Sequence, residues 1–258
     1  MNDFSKFRDY YFIKCFSEET YRRQFNSGEK LYLNSMEYFH EKENSFQADL
    51  EGLIFRQTEN ATGNIILSKE PQTFESIVKK VEEKSFGEND LIIQTKNVKF
   101  FINGYICCFA IIPKSNIYFE EENMINYKNE DVYNWLMMFL NRYSQGKYCY
   151  LSFYNAEPCL QIFYDNLTSK GYSVSCGLVE YNDMTTEERI AAFKSNDISK
   201  VVFTKNREFA YQREFRMYIN SSNCTQEHIE LQGIDLQSTV VKDLAYLSPE
   251  YIKKLQVK

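Results

Sequence analysis

The sequence is poor in the residues that hinge or break a chain, with 4 prolines and 9 glycines in 258 residues. So few leave little room for long linkers, and residues 1–258 read as a single compact domain large enough to bury a real core. Histidine is scarcer still: only His40 and His228 are present, which argues against a His-based triad or a His-rich metal site. Neither GxxxxGK[ST] nor GxGxxG occurs, so a P-loop and a Rossmann fingerprint are both excluded. The seven cysteines (Cys15, Cys107, Cys108, Cys149, Cys159, Cys176, Cys224) are odd in number and form no CxxC pair. They therefore suggest neither zinc nor a disulfide framework, and read as buried free thiols in a reducing cytoplasm. The start, MNDFSKFRDYYF, lacks a charged stretch followed by an apolar one, and the apolar run at 105–113 is too short to cross a bilayer. A soluble cytoplasmic protein with no membrane partner is expected. The net charge of −6 excludes a basic coat of the kind that binds long nucleic acids.

What is abundant is aromatic surface: 20 Tyr and 21 Phe against one Trp. Rings on that scale give a ring-rich core or ring-lined pockets, with the Tyr hydroxyls as polar tips. The periodicity predicts a strand near 11–16, then a helix capped by Ser17 and stopped at Gly28, then a strand at 30–34. "LIIQTK" and "FFINGYICCFAII" are strand-like, with Asn103-Gly104 as the best hairpin signal. Helices follow behind Asn129 and Asn155, a helical insertion near 129–170. Thr185 with Glu188 forms a capping box. Strands are predicted at 200–204, 214–220, 228–232 and 239–245, and a short helix behind Ser248-Pro249. Strands clustered and mixed with helices, without regular βαβ alternation, indicate an α+β fold of mixed, mostly antiparallel sheets.

Chemistry concentrates in "FAYQREFRMYI", residues 209–219. Side chains of a strand alternate faces, so Phe215, Met217 and Ile219 point one way and Gln212, Glu214, Arg216 and Tyr218 the other, onto a surface or a cleft. Between Ser199 and Ile219, five cations (Lys200, Lys205, Arg207, Arg213, Arg216) stand against Glu208 and Glu214. That local balance suits a phosphate-bearing ligand; it also suits a solvated strand and loop. Asp90 followed by "LIIQTK" is similar to the acid-then-strand-then-Gln-x-Lys pattern of metal nucleases.

Gln-x-Glu opening an apolar-alternating strand resembles the signature of the ADP-ribosyltransferase fold, as in Rho-modifying bacterial exotoxins. The resemblance implies NAD as substrate, Glu214 as the catalytic carboxylate that stabilises the oxocarbenium-like transition state, and Gln212 as the residue that orients the acceptor. "LYLNSMEYF" resembles that family's second motif, with Ser35 and Asn34 supporting the NAD pocket and Tyr38 or Phe39 stacking on nicotinamide. Lys14 in "YFIKCF" stands where the family has Arg or His, and Lys205 or Arg216 would lie near the pyrophosphate. The wider pattern from "IKCF" through "ADLEG" and "GLVEYND" to "VVFTKNREFAYQREFRMYI" looks like a group of bacterial and phage-associated proteins, some from anti-phage loci. It closes on Phe203, Lys205, Tyr211, Gln212, Glu214, Phe215 and Arg216. It implies Asp49 and Glu51 as pocket acids, which also read as a turn acid and a helix cap. A toxin modifying nucleic acid or protein, with an antitoxin or chaperone partner, would follow. Two alternatives stay open: a non-catalytic interaction module in which Glu214 and Arg216 form a structural pair, and a metal-dependent nuclease.

Overall fold

The computed structural model describes residues 3–35, 53–56, 64–67, 91–94, 99–101, 104–119, 125–127, 130–144, 149–185, 188–189, 191–192, 195, 197–220 and 228–247. In chain order the elements begin β1 (Tyr10–Phe16), α1 (Glu19–Ser27), β2 (Leu31–Ser35), β3 (Leu53–Arg56), β4 (Asn64–Leu67), β5 (Leu91–Gln94), β6 (Lys99–Phe101) and β7 (Gly104–Pro113). They continue with β8 (Ile117–Phe119), β9 (Ile125–Tyr127), α2 (Glu130–Ser144), β10 (Cys149–Asn155), α3 (Ala156–Ser169), β11 (Ser173–Leu178) and β12 (Glu180–Tyr181). Last come α4 (Ile198–Val202), β13 (Thr204–Lys205), β14 (Glu214–Asn220), β15 (His228–Leu231) and β16 (Val240–Leu247). The chain gathers into two units, one of Met1–Glu51, Asn103–Asp183 and Phe203–Lys258, the other of Gly52–Ile102 and Met184–Val202.

The first unit is built on an eight-stranded sheet in the order β11-β14-β7-β1-β10-β16, with β2 also on β7 and β15 on β2. Its pairs are antiparallel, so the mixed α+β class with mostly antiparallel sheet holds. The apolar run of β7, "GYICCFAIIP", is buried on both sides, as a continuous run rather than an alternating one requires. One face of the sheet carries Phe12, Phe16, Cys107, Phe109, Phe215, Met217 and Ile219 against Phe25 of α1 and Cys159, Leu160 and Phe163 of α3. The other carries Ile13, Cys15, Ala110, Ile112, Leu151 and Phe153 against Val132, Trp135, Leu136, Phe139 and Leu140 of α2. The aromatic excess is spent here: Phe12 stacks on Phe109 at 5.0 Å, and Phe215 lies 4.7 Å from Phe12 and 5.1 Å from Phe7. Each buried ring of this size contributes about 1.5–3 kcal/mol over leaving it in water.

A polar cluster ties α1 to the sheet. The Tyr154 hydroxyl donates to Asn26 Oδ1 (2.6 Å), Asn26 Nδ2 to Ser152 Oγ (3.3 Å), and Ser152 Oγ to Asp243 Oδ1 (2.5 Å). Arg22 pairs with the same Asp243. In the second unit, β3 pairs with β6 and β4 with β5, both antiparallel. The capping box forms there as expected: the Thr185 amide donates to Glu188 Oε2 (2.8 Å) and the Glu188 amide to Thr185 Oγ1 (3.2 Å).

Asn103 of the expected Asn103-Gly104 hairpin lies outside the described residues; of the flanking strands, β6 pairs with β3, and β7 with β14, β1 and β2. At Gly104, with φ 155°, a Cβ would stand 2.2 Å from the Tyr218 ring. Three further sequence expectations are corrected. Residues 198–202 are helical, and the strand after them is only Thr204–Lys205; the short apolar run Val201-Val202-Phe203 carries no periodicity to tell the two apart. Helix α1 has Glu18, not Ser17, at its N-cap. The segment leading to Gln212 is a 3-10 helix and not the start of a strand. The short helix behind Ser248-Pro249 and the cap at Asn129 lie outside the described residues.

Gly28 closes α1 in the left-handed conformation (φ 71°) and packs under the 233–236 loop, where a Cβ would lie 2.6 Å from the Ile234 carbonyl carbon. Gly28→Ala therefore meets both a left-handed penalty of roughly 1–2 kcal/mol and a backbone clash. A melting temperature lowered by several degrees in a thermal denaturation scan is the expected outcome.

Candidate functional site

Strand alternation puts Glu214 on the α2 face, because it pairs with Ala110, and Arg216 on the same face opposite Cys108. That face is not open. Glu214 is 6% exposed, Arg216 0% and Lys205 4%, so the residues expected on a surface or cleft wall lie inside the protein. The three form one ionic cluster. Arg216 Nε donates to Glu214 Oε1 (2.7 Å), Arg216 Nη2 to Oε2 (3.3 Å) and Lys205 Nζ to Oε2 (3.0 Å). The Cys108 thiol adds a further hydrogen bond to the carboxylate. Burial alone would raise the Glu214 pKa; the charges of Arg216 and then Lys205 outweigh it and hold the carboxyl well below the usual carboxylate range.

The surrounding backbone explains how three charges come to be enclosed. β12 and β13 lie side by side in parallel, with Tyr181 opposite Lys205. The Val179 amide donates to the Glu214 carbonyl (2.9 Å), and the Glu214 amide donates to the Tyr181 hydroxyl (2.7 Å). Burial and then the Glu214 charge push the Tyr181 pKa up, so it remains a neutral phenol. Ahead of the strand, Arg207–Gln212 is a 3-10 helix, followed by Arg213 at φ 45°, the one non-glycine residue with positive φ among the described residues. Gln212 thus ends a helix and Glu214 opens a strand, so the two are not neighbours on one strand face. Gln212 is buried at 9%, with Nε2 3.5 Å from the Tyr211 hydroxyl. Lys205 also stands 5.1 Å from the Phe209 ring centre, which fixes it from a second side.

The other sequence candidates divide. Lys14 falls on the opposite face of the sheet, among Phe12 and Phe16. Its Nζ lies 5.0 Å from the Phe25 ring and 5.1 Å from the Phe109 ring, and donates to the Cys108 carbonyl (3.0 Å). It sits where β1 and β2 part along β7: β2 pairs at Tyr105 and Ile106, β1 only from Ala110 onward. Ser35, paired with Tyr105 and buried, shares the Lys14 face, whereas Asn34, paired with Ile106, shares the Glu214 face. Lys205 and Arg216 hold Glu214 directly. Tyr211 borders the cluster through the 3-10 helix, and its carbonyl accepts the Trp135 Nε1 hydrogen bond (2.5 Å). Tyr38, Phe39, Asp49 and Glu51 lie outside the described residues, as do the side chains of the "DLIIQTK" segment. Among the described residues no three His, Cys, Asp or Glu side chains gather as a metal site. Tyr181 and the role of Cys108 were not foreseen from the sequence. "GLVEYND" is visible as a pattern, but only the parallel β12–β13 pairing shows that its Tyr meets Glu214.

Comparison of the chain with protein-family models, with curated proteins and with solved structures gives no match.

The enclosed cluster has consequences that can be measured. Removing the carboxylate from a buried pair costs roughly 3–5 kcal/mol, so Glu214→Gln is expected to lower stability by that order in urea melts at neutral pH. Because the folded pKa is depressed, the Glu214 contribution is complete above its unfolded value, about 4.3, and fades as the pH falls below it. The wild type should lose stability on that acid limb, and Glu214→Gln should lose less. Arg213→Gly should do the reverse of most substitutions: it relieves a left-handed residue costing about 1 kcal/mol and leaves the melting temperature unchanged or raised.

Proposed function

We propose that the protein is an NAD-dependent ADP-ribosyltransferase in which Glu214 is the catalytic carboxylate. The observation that carries this reading is a buried, ionised carboxylate on the first residue of a sheet strand, its orientation fixed by Arg216, Lys205 and a backbone hydrogen bond to Tyr181. A group held ionised suits stabilisation of a developing cation and not proton donation. In the reaction the bond between ribose C1′ and the nicotinamide nitrogen breaks, its electron pair leaving with nicotinamide. The acceptor nucleophile then bonds to C1′ and gives up its proton. Glu214 carries the negative charge that the cationic ribose needs while neither bond is complete.

The bond to Cys108 is the one that could exchange. Of the side chains bonded to the carboxylate oxygens, Arg216 and Lys205 are buried and charge-assisted, while Cys108 is half-buried and its thiol is a weak donor. A ribose hydroxyl exchanging with that thiol reaches Glu214 without dismantling the ion cluster. Lys14 and Ser35 lie on the other face of the sheet.

The saturation of Glu214 favours a second reading, in which the cluster is a structural lock within a non-catalytic interaction module. Incubation with labelled NAD, with lysate protein and nucleic acid as separate acceptor fractions, distinguishes the two. The transferase reading expects label transfer, reduced at least 100-fold in Glu214→Asp, which keeps the charge but withdraws it by one methylene, and retained in Cys108→Ala. Thermal melts show that each variant is folded. No transfer and no NAD binding by the wild type would leave the structural lock.

A further inference from the structure

Outside the buried cluster, two arginines on the same unit are held in an unusual way. Arg142, on the last turn of α2, is exposed, and its guanidinium carbon stands 4.3 Å from the centre of the Tyr211 ring. Arg213, also exposed, stands 4.6 Å from the centre of the Trp135 ring. The two rings are tied together by the Trp135 Nε1 bond to the Tyr211 carbonyl. Residues 135 and 142 are two helical turns apart, hence on one side of α2. Among the described residues neither guanidinium meets a carboxylate. Each guanidinium stands over an aromatic ring, where the cation is attracted by the ring face.

The backbone at Arg213 adds an independent observation. A left-handed residue is cheapest as glycine, yet this position carries the longest cationic side chain and bears the strain. The turn also breaks strand alternation, so Arg213 and Glu214, adjacent in sequence, both lie toward α2. Planar guanidinium groups match the oxygens of a phosphate ester, and a guanidinium face accepts a nucleobase.

We propose that Arg142 and Arg213 form a phosphate-binding pair for a nucleotide-bearing ligand, either a stretch of single-stranded nucleic acid or a dinucleotide pyrophosphate. The pair needs no catalytic role for Glu214, because binding is read without turnover. This separates its failure from that of the transferase reading.

The test is fluorescence anisotropy with a fluorescein-labelled 12-nucleotide single-stranded RNA, together with calorimetry using NAD and inorganic pyrophosphate. The wild type is compared with Arg142→Ala, Arg213→Gly and the double variant across salt concentrations. If the ligand is a strand, each substitution weakens RNA binding about tenfold and flattens the log K against log salt slope by about 0.7 for each phosphate no longer neutralised. If it is a dinucleotide, the wild type binds NAD and pyrophosphate, and the double variant loses both while RNA is unaffected. The proposal is overturned if the wild type binds none of the probes, or if the double variant binds every one of them as the wild type does. It is equally overturned if an oligoglutamate peptide of the same length is bound, and lost in the double variant, as strongly as the RNA. Arg213→Gly relieves backbone strain and Arg142 is exposed, so weakened binding by these variants is not a folding defect.

Discussion

Three charges enclosed on one face of a sheet set the terms for this part of the structure. Taking an ion out of water costs several kcal/mol even after the protein relaxes around it. An opposed pair at about 4 Å returns about 4 kcal/mol at the effective dielectric of a protein. The Lys205–Glu214–Arg216 cluster is therefore viable only with near-ideal geometry. Arg216 supplies a two-toothed grip at 2.7 and 3.3 Å, and Lys205 approaches the second oxygen at 3.0 Å. The strands that carry these groups must be placed to within a few tenths of an ångström for this. β14 is fixed by seven paired residues on β7, and β13 by its parallel neighbour β12. The cluster thus couples the small two-stranded pair to the main sheet.

The two faces of that sheet carry different work. The α1/α3 face is an aromatic core with Lys14 placed over two of its rings at the point where β1 and β2 separate. The α2 face holds the ion cluster, the Trp135–Tyr211 hydrogen bond and the two arginines over aromatic rings. Arginine and lysine divide along the same lines. Arg216, fully buried, uses the planar fork that lysine lacks, whereas Lys14 needs only a point charge near a carbonyl and ring faces.

Much of the architecture was legible in the sequence because it rests on local signals. Gly28 as a left-handed stop, the Thr185/Glu188 box, the helices near 129–170 and the alternation of Phe215, Met217 and Ile219 are each set within a few residues. What was not legible depends on pairing. Whether 214 and 216 face water or protein follows from the β12–β13 pair, whose Tyr181 and Lys205 meet Glu214, and no period in β14 encodes that cover. The strands flanking Asn103-Gly104 show the same limit: the dipeptide permits a turn, but the described partners of β6 and β7 lie elsewhere in the chain. Tyr181, which bonds the Glu214 amide, had no signal other than its place in "GLVEYND".

Burial and function are not opposed at Glu214, and the distinction lies in which of its bonds can exchange. A carboxylate offers about four lone-pair positions. Arg216 and Lys205 meet three through charge-assisted bonds that also set its ionisation, and the Cys108 thiol adds a weaker one. An enclosed carboxylate with one weaker bond, to a half-buried partner, can keep its charge and orientation while trading that partner for a hydroxyl. The bonds around Glu214 are therefore uneven, with two charge-assisted partners on buried side chains and a thiol on a half-buried one.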